Sequence, residues 1–127
     1  MNKFVLTILP EKFGVCRLNK EENIPTWAIN GNEFFSVTKT RDELSIVCSL
    51  NKNPSEVKTE KTFKAFKLEG QIDFALTGVL SSLLAPLAEA KISIFAISTY
   101  DTDYILVKEQ NLEKAKEILS KTCVVKQ

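Results

Sequence analysis

Two segments of the chain read alike at a spacing of 60 residues, and this repeat limits the fold more than any other feature. Phe35-Ser36-Val37-Thr38 matches Phe95-Ala96-Ile97-Ser98, and Ile46-Val47 matches Leu106-Val107. Thr26-Trp27-Ala28 falls on Pro86-Leu87-Ala88. Residues 34–48 and 94–108 align without a gap, and one gap brings Phe13 onto Phe74. A unit of about 60 residues is marginal as an independent fold. Two of them in a 127-residue chain must therefore share a sheet or a core. The expected division is residues 1–60 and residues 61–127.

The second half has the clearer pattern. Residues 62–68 alternate Phe63 and Ala65 with lysines before Phe66 and Leu68, which predicts a strand. Val79, Leu80, Leu83, Leu84 and Leu87 recur at spacings of one, three and four, which predicts a helix over 77–90. Thr77 is its expected N-cap, and Pro86 should kink or loosen its last turn. Residues 91–98 and 103–108 read as partner strands. Residues 112–119 read as an amphipathic helix behind Asn111 as N-cap, and 123–125 as a final strand. Strand, helix, strand, strand, helix, strand predicts an α+β, ferredoxin-like arrangement: a four-stranded antiparallel sheet with helices on one face. The first half offers strands at 4–9, 13–18, 33–38 and 44–50. Its only helical signal is one short turn at 24–28 with Pro25 at its start. It reads as a reduced copy whose helices have shortened to loops. Residues 51–55, Asn-Lys-Asn-Pro-Ser, are the strongest linker signal.

Composition removes whole classes of chemistry. The chain has no histidine, so it has no Ser-His-Asp or Cys-His pair, no histidine base and no histidine metal ligand. Lysine plus arginine total 17 against 16 acidic residues, too even a balance for a nucleic-acid surface. Cys16, Cys48 and Cys123 are odd in number and widely spaced. They read as small buried hydrophobes in a reducing cytoplasm, not as a disulfide or zinc framework. No segment reads as a signal peptide or a membrane span. There is no Walker motif and no dinucleotide fingerprint, so no cofactor is expected.

The unusual stretch is Ile97-Ser98-Thr99-Tyr100-Asp101-Thr102-Asp103-Tyr104, where a strand runs into a polar, acidic loop and a strand resumes. Two readings stand. In one, the loop is a solvated turn held by side-chain bonds from Ser, Thr and Asp. In the other, its carboxylates hold an ammonium or guanidinium. The start of the helix at Thr77-Gly78-Val79, with free N–H groups and a positive dipole end, then holds a carboxylate. A free amino acid carries both charges. The helix start and the hairpin are expected at opposite ends of adjacent strands, so a complete pocket would need the other half or a second subunit. Metal binding lacks a third ligand in pattern. Acid–base catalysis by Asp101 and Asp103 lacks a nucleophile.

At these residues the sequence resembles a known family. Thr77-Gly78-Val79-Leu80, Ala85-Pro86-Leu87-Ala88-Glu89-Ala90 and the unbroken run from Ile92 to Val107 resemble the signature of small bacterial ACT domain proteins. These are similar to the ACT modules of the cytosolic arginine sensor of the mTOR pathway. Val15-Cys16-Arg17-Leu18, Pro25-Thr26-Trp27-Ala28, Phe34-Phe35-Ser36-Val37-Thr38 and Asp42 to Cys48 agree as well. The resemblance implies two tandem ACT-like subdomains, the first reduced, that bind a small effector at a subdomain or dimer interface and act as a regulator without catalysis. It implies a ligand site at Leu76, Thr77, Gly78, Val79 and Leu80 and at Ser98, Thr99, Tyr100, Asp101, Thr102 and Asp103, with Asp103 the first residue to carry over. It does not name the ligand. The competing reading is a ligand-free interaction module that pairs through exposed sheet edges or through the last helix.

Overall fold

The computed structural model describes residues 4–30, 34–50, 57–70 and 78–127. Its elements run β1 (Phe4–Ile8), β2 (Phe13–Leu18), α1 (Thr26–Ile29), β3 (Ser36–Lys39), β4 (Leu44–Ser49), β5 (Lys58–Leu68), α2 (Val79–Glu89), β6 (Ile94–Ser98), β7 (Asp103–Lys108), α3 (Leu112–Leu119) and β8 (Cys123–Lys126). The fold is mixed α+β and ferredoxin-like, with an antiparallel-dominated sheet.

The compact units of the structure do not follow sequence order alone. They are Glu11–Phe63, and Met1–Pro10 together with Lys64–Gln127. The cause is β1. It pairs antiparallel with β5 (Leu6 opposite Leu68, Ile8 opposite Phe66) and parallel with β8 (Phe4 opposite Cys123, Leu6 opposite Val125). The expected four-stranded sheet of the second half is therefore five-stranded, in the order β6-β7-β5-β1-β8. The N-terminal strand lies between β5 and β8, the two strands that a ferredoxin-like sheet would otherwise pair directly.

One face of this sheet carries the core of the unit. Leu6, Ile8, Phe66, Leu68, Ile105, Val107 and Cys123 pack with Val79, Leu83 and Leu87 of α2 and Ala115 and Leu119 of α3. The buried α2 residues recur every four positions, one stripe of a helix. Proline at position 86 has no N–H to give, and the helix ends three residues later. The end is closed by Lys91 in the left-handed region (φ 62°), with the Lys91 and Ile92 N–H groups donating to the Ala88 and Leu87 carbonyls. This cap is why β6 starts at Ile94 and not at residue 91.

In the other unit β2 pairs antiparallel with β4 and with the first residues of β5, and β3 pairs with β4. The order β3-β4-β2-β5 is that of a ferredoxin-like sheet, with residues 58–63 as its fourth strand. This is why β5 begins four residues earlier than expected. Cys16, Leu44, Ile46 and Cys48 form its small core with Ala28 of α1. The α1 helix is a single turn, as the lone Pro25 signal suggested. The linker signal at 51–55 lies outside the described residues.

All three cysteines are buried, and none is in a disulfide. No helix among the described residues is long and apolar enough to cross a membrane. Leu6 has no exposure and touches both neighbouring strands. Leu6→Ala should cost about 3 kcal/mol in chemical denaturation. It should also speed amide exchange in β8 more than in β4. Val124→Ala, at an exposed position of the same sheet, should change stability by about 0.5 kcal/mol or less.

Candidate functional site

The β6–β7 hairpin closes with Ser98 opposite Asp103. Across the turn the Thr99 N–H donates to the Thr102 carbonyl at 2.8 Å. The Thr99 hydroxyl accepts from the Thr102 N–H and donates to the Thr102 carbonyl, both at 3.2 Å. The Thr102 side chain turns inward. Its hydroxyl donates to the Leu68 carbonyl at 2.6 Å, and the residue is 6% exposed. Tyr100 stands at the tip, 76% exposed, beside an exposed Asp101. Thr99 and Thr102 thus work as the internal bracing expected of a side-chain-held turn.

Leu68 is the last residue of β5, so the Thr102 bond fixes the hairpin at the C-terminal end of that strand. The chain leaves for α2 from that same end. The expectation that hairpin and helix start lie at opposite ends is overturned. The α2 crossover carries the chain back before β6 begins, so β6 finishes where β5 finishes.

Asp101 and Asp103 do not share an environment. In β7 alternate side chains face opposite sides. Asp103 therefore lies on the same face as Ile105 and Val107, the face that packs against α2 and α3. It is partly buried, and one of its carboxylate oxygens accepts from the Ser98 hydroxyl at 2.5 Å.

The pairing registers change the internal alignment. Ser36 pairs with Val47 and Lys39 with Leu44, while Ile94 pairs with Val107 and Ser98 with Asp103. The hairpins therefore correspond at a spacing of 59, not 60. At that spacing Ile46 matches Ile105, Cys48 matches Val107, and buried Leu44 matches Asp103. A one-residue slip exchanges the two faces of a strand, so the alignment by letters had hidden this match. The period-two row Leu44, Ile46, Cys48 was the signal that could have shown it.

The helix start differs in detail from expectation. Gly78, which has no side chain to cap with, is the residue before α2, at φ 76°. A side chain there would meet nothing within 4 Å, so glycine is required by the backbone angle and not by space. Leu76 and Thr77, including Thr77 as N-cap, lie outside the described residues. The side chains of Val79 and Leu80 belong to the core. What these residues offer a ligand is their N–H groups, which have no acceptor within the helix. Among the described residues no three His, Cys, Asp or Glu side chains are grouped to hold a metal.

The profile of the ACT domain family matches residues 58–121, half of the sequence. The chain belongs to the ACT domain family. A second profile, of an N-terminal domain, matches residues 11–56, within the Glu11–Phe63 unit. Over 91 residues this ACT chain is 33% identical to the human cytosolic arginine sensor for mTORC1 subunit 1. The match takes in 63% of this chain and 28% of that protein. A crystal structure of an Agrobacterium tumefaciens protein, 36% identical, superposes with a TM-score of 0.90 over 100% of this chain and 96% of that one. Aspartate kinase from Clostridium acetobutylicum shares the fold at a TM-score of 0.64 and 15% identity, covering 88% of this chain and 33% of that one.

The Thr102–Leu68 bond gives a direct test of how the hairpin is held. Thr102→Val keeps the shape and leaves a buried carbonyl without its donor, which should cost about 1–3 kcal/mol by urea denaturation. Tyr100→Ala at the exposed tip should leave stability within about 0.5 kcal/mol.

Proposed function

We propose that this chain is a non-enzymatic regulator of the bacterial cytoplasm that binds a free amino acid or a similar small zwitterion. It would do so as two tandem ACT modules, the first reduced, and as a homodimer. The ligand's carboxylate would sit at the Thr77–Gly78 start of α2, and its cationic group at the hairpin from Ser98 to Asp103. No cofactor and no nucleic acid takes part.

The observation that carries the reading is Asp103. A carboxylate ends a row of otherwise apolar, core-facing side chains, where the matching residue of the other hairpin is the buried Leu44. Ser98 holds one oxygen. The other is left for a cation, and a charge-assisted bond of this kind is worth about 1.5–3 kcal/mol. The α2 start at Gly78 supplies N–H groups and a positive dipole end for the opposite charge. Both elements belong to one compact unit, and the loop to α2 leaves from the hairpin's end of β5. The arginine sensor's name gives an amino acid as the ligand of that relative, which agrees with the class proposed here. Absence of histidine fits a site that binds without moving a proton.

The interaction-module reading loses one of its two surfaces, because Ala115 and Leu119 of α3 are buried in the core. Calorimetry of the whole chain against the twenty amino acids separates the readings. At least one should bind saturably, and Asp103→Ala should weaken it tenfold or more, about 1.4 kcal/mol. If none binds, and light scattering shows assembly indifferent to all of them, the chain is an interaction module.

A further inference from the structure

The Glu11–Phe63 unit carries a second candidate site of opposite charge. Lys20, Glu21, Lys39, Thr40 and Arg41 line one surface depression. Lys20 and Glu21 come from the loop after β2, and Thr40 and Arg41 from the β3–β4 hairpin, with Lys39 ending β3. Three cations against one carboxylate make it a concentrated positive spot. The rest of the unit does not share that charge, since residues 11–63 hold eight lysines and arginines and eight acidic residues.

Both loops are fixed in shape. The Thr40 hydroxyl accepts from the Asp42 and Glu43 N–H groups at 3.1 Å each, and the Thr40 N–H donates to the Glu43 carbonyl at 2.9 Å. In the facing loop the Asn19 side chain accepts from the Glu21 N–H at 2.9 Å, and the Glu22 carboxylate accepts from the Asn19 N–H at 3.0 Å. Two further bonds tie the loops to their neighbours. The Lys39 ammonium donates to the Lys20 carbonyl, and the Arg17 guanidinium donates to the Asp42 carbonyl at 2.9 Å. Braced loops reduce the backbone entropy lost when a ligand arrives.

Arg41 decides what kind of ligand fits. It is followed directly by Asp42 and Glu43, yet its guanidinium makes no ion pair or hydrogen bond among the described residues. The backbone carbonyl of Asp42 accepts from the Arg17 guanidinium. The five donors of Arg41, the Lys20 ammonium and the remaining protons of Lys39 are therefore open to an oxyanion, and a guanidinium fork matches a phosphate edge. The acidic residues around the depression would repel a long polyanion, which limits the ligand to a compact one.

We propose that this depression binds a small phosphate dianion, free or as the monoester of a small metabolite. The site is separate from the residues at Gly78 and Asp103, and does not depend on the function proposed for them. The test is an amide NMR titration of the full chain with sodium phosphate and, separately, glycerol phosphate, each matched for ionic strength with sodium chloride. Saturable shifts are expected at residues 20, 21 and 39–41 with one or both phosphates and not with chloride. A response to the ester alone would assign the monoester, and a response to both the phosphate group itself. Arg41→Gln and Lys20→Gln, both at exposed positions, should each weaken binding at least fivefold while the remaining amides keep their positions. Absence of saturable shifts with either probe, equal shifts with chloride, or undiminished binding by Arg41→Gln would overturn the proposal.

Discussion

The double hydrogen bonding of β1 is the constraint on which the larger unit rests. A strand presents donors and acceptors on both edges, and each buried one left unpaired is costly. β5 and β8 each spend one edge on β1, one antiparallel and one parallel. Leu6 and Ile8 then enter the core that α2 and α3 cover. Five residues of the N-terminus thus complete a sheet whose other strands lie fifty or more residues further on. The chain leaves this unit after Pro10 and re-enters it at Lys64, so the smaller unit is an insertion in sequence.

That insertion explains which parts of the fold were legible in the sequence. Local periodicity located β2, β7 and α3 to the residue, because each has a face that must be buried and a clear stop signal. The apolar row of α2 was legible too, although the left-handed backbone at Gly78 before its first residue was not. Strand partners were not legible. Phe4 to Ile8 is apolar and β-branched in any sheet, and nothing in its pattern says that it pairs with residues 66–68 and 123–126. Ile92 looks like a strand residue, yet it supplies the hydrophobic end of a helix cap.

The candidate site shows the same division. Chemistry was visible in the letters: an acidic, hydroxyl-rich hairpin and a glycine before a helix. Orientation was not. Thr102 and Asp103 are adjacent and similar in polarity, but the pleat sends them to different tasks. One hydroxyl anchors the turn to Leu68, and one carboxylate joins the core-facing row. Matching letters at a spacing of 60 also set Asp103 against Glu43, an acid against an acid. Ladder pairing at 59 sets it against Leu44. Only the second comparison shows that a charge stands where a leucine would satisfy packing.

Two hairpins of the same length therefore do different things with one backbone plan. Each has a threonine at the first turn position, Thr40 or Thr99, whose hydroxyl ties down the chain three residues on. In the β3–β4 hairpin the strand end keeps its leucine in the core, and the charge goes to the tip as Arg41. In the β6–β7 hairpin the tip is Tyr100 and Asp101, and the charge with the greater consequence sits at the strand end as Asp103. A carboxylate on the helix-covered face stands in a lower dielectric than one at a tip, so a cation gains more from it. A guanidinium at an open tip gains less from any single anion and relies on the neighbouring Lys20 and Lys39. On this physical basis the two hairpins differ in the sign of the charge they present and in how far each depends on its neighbours.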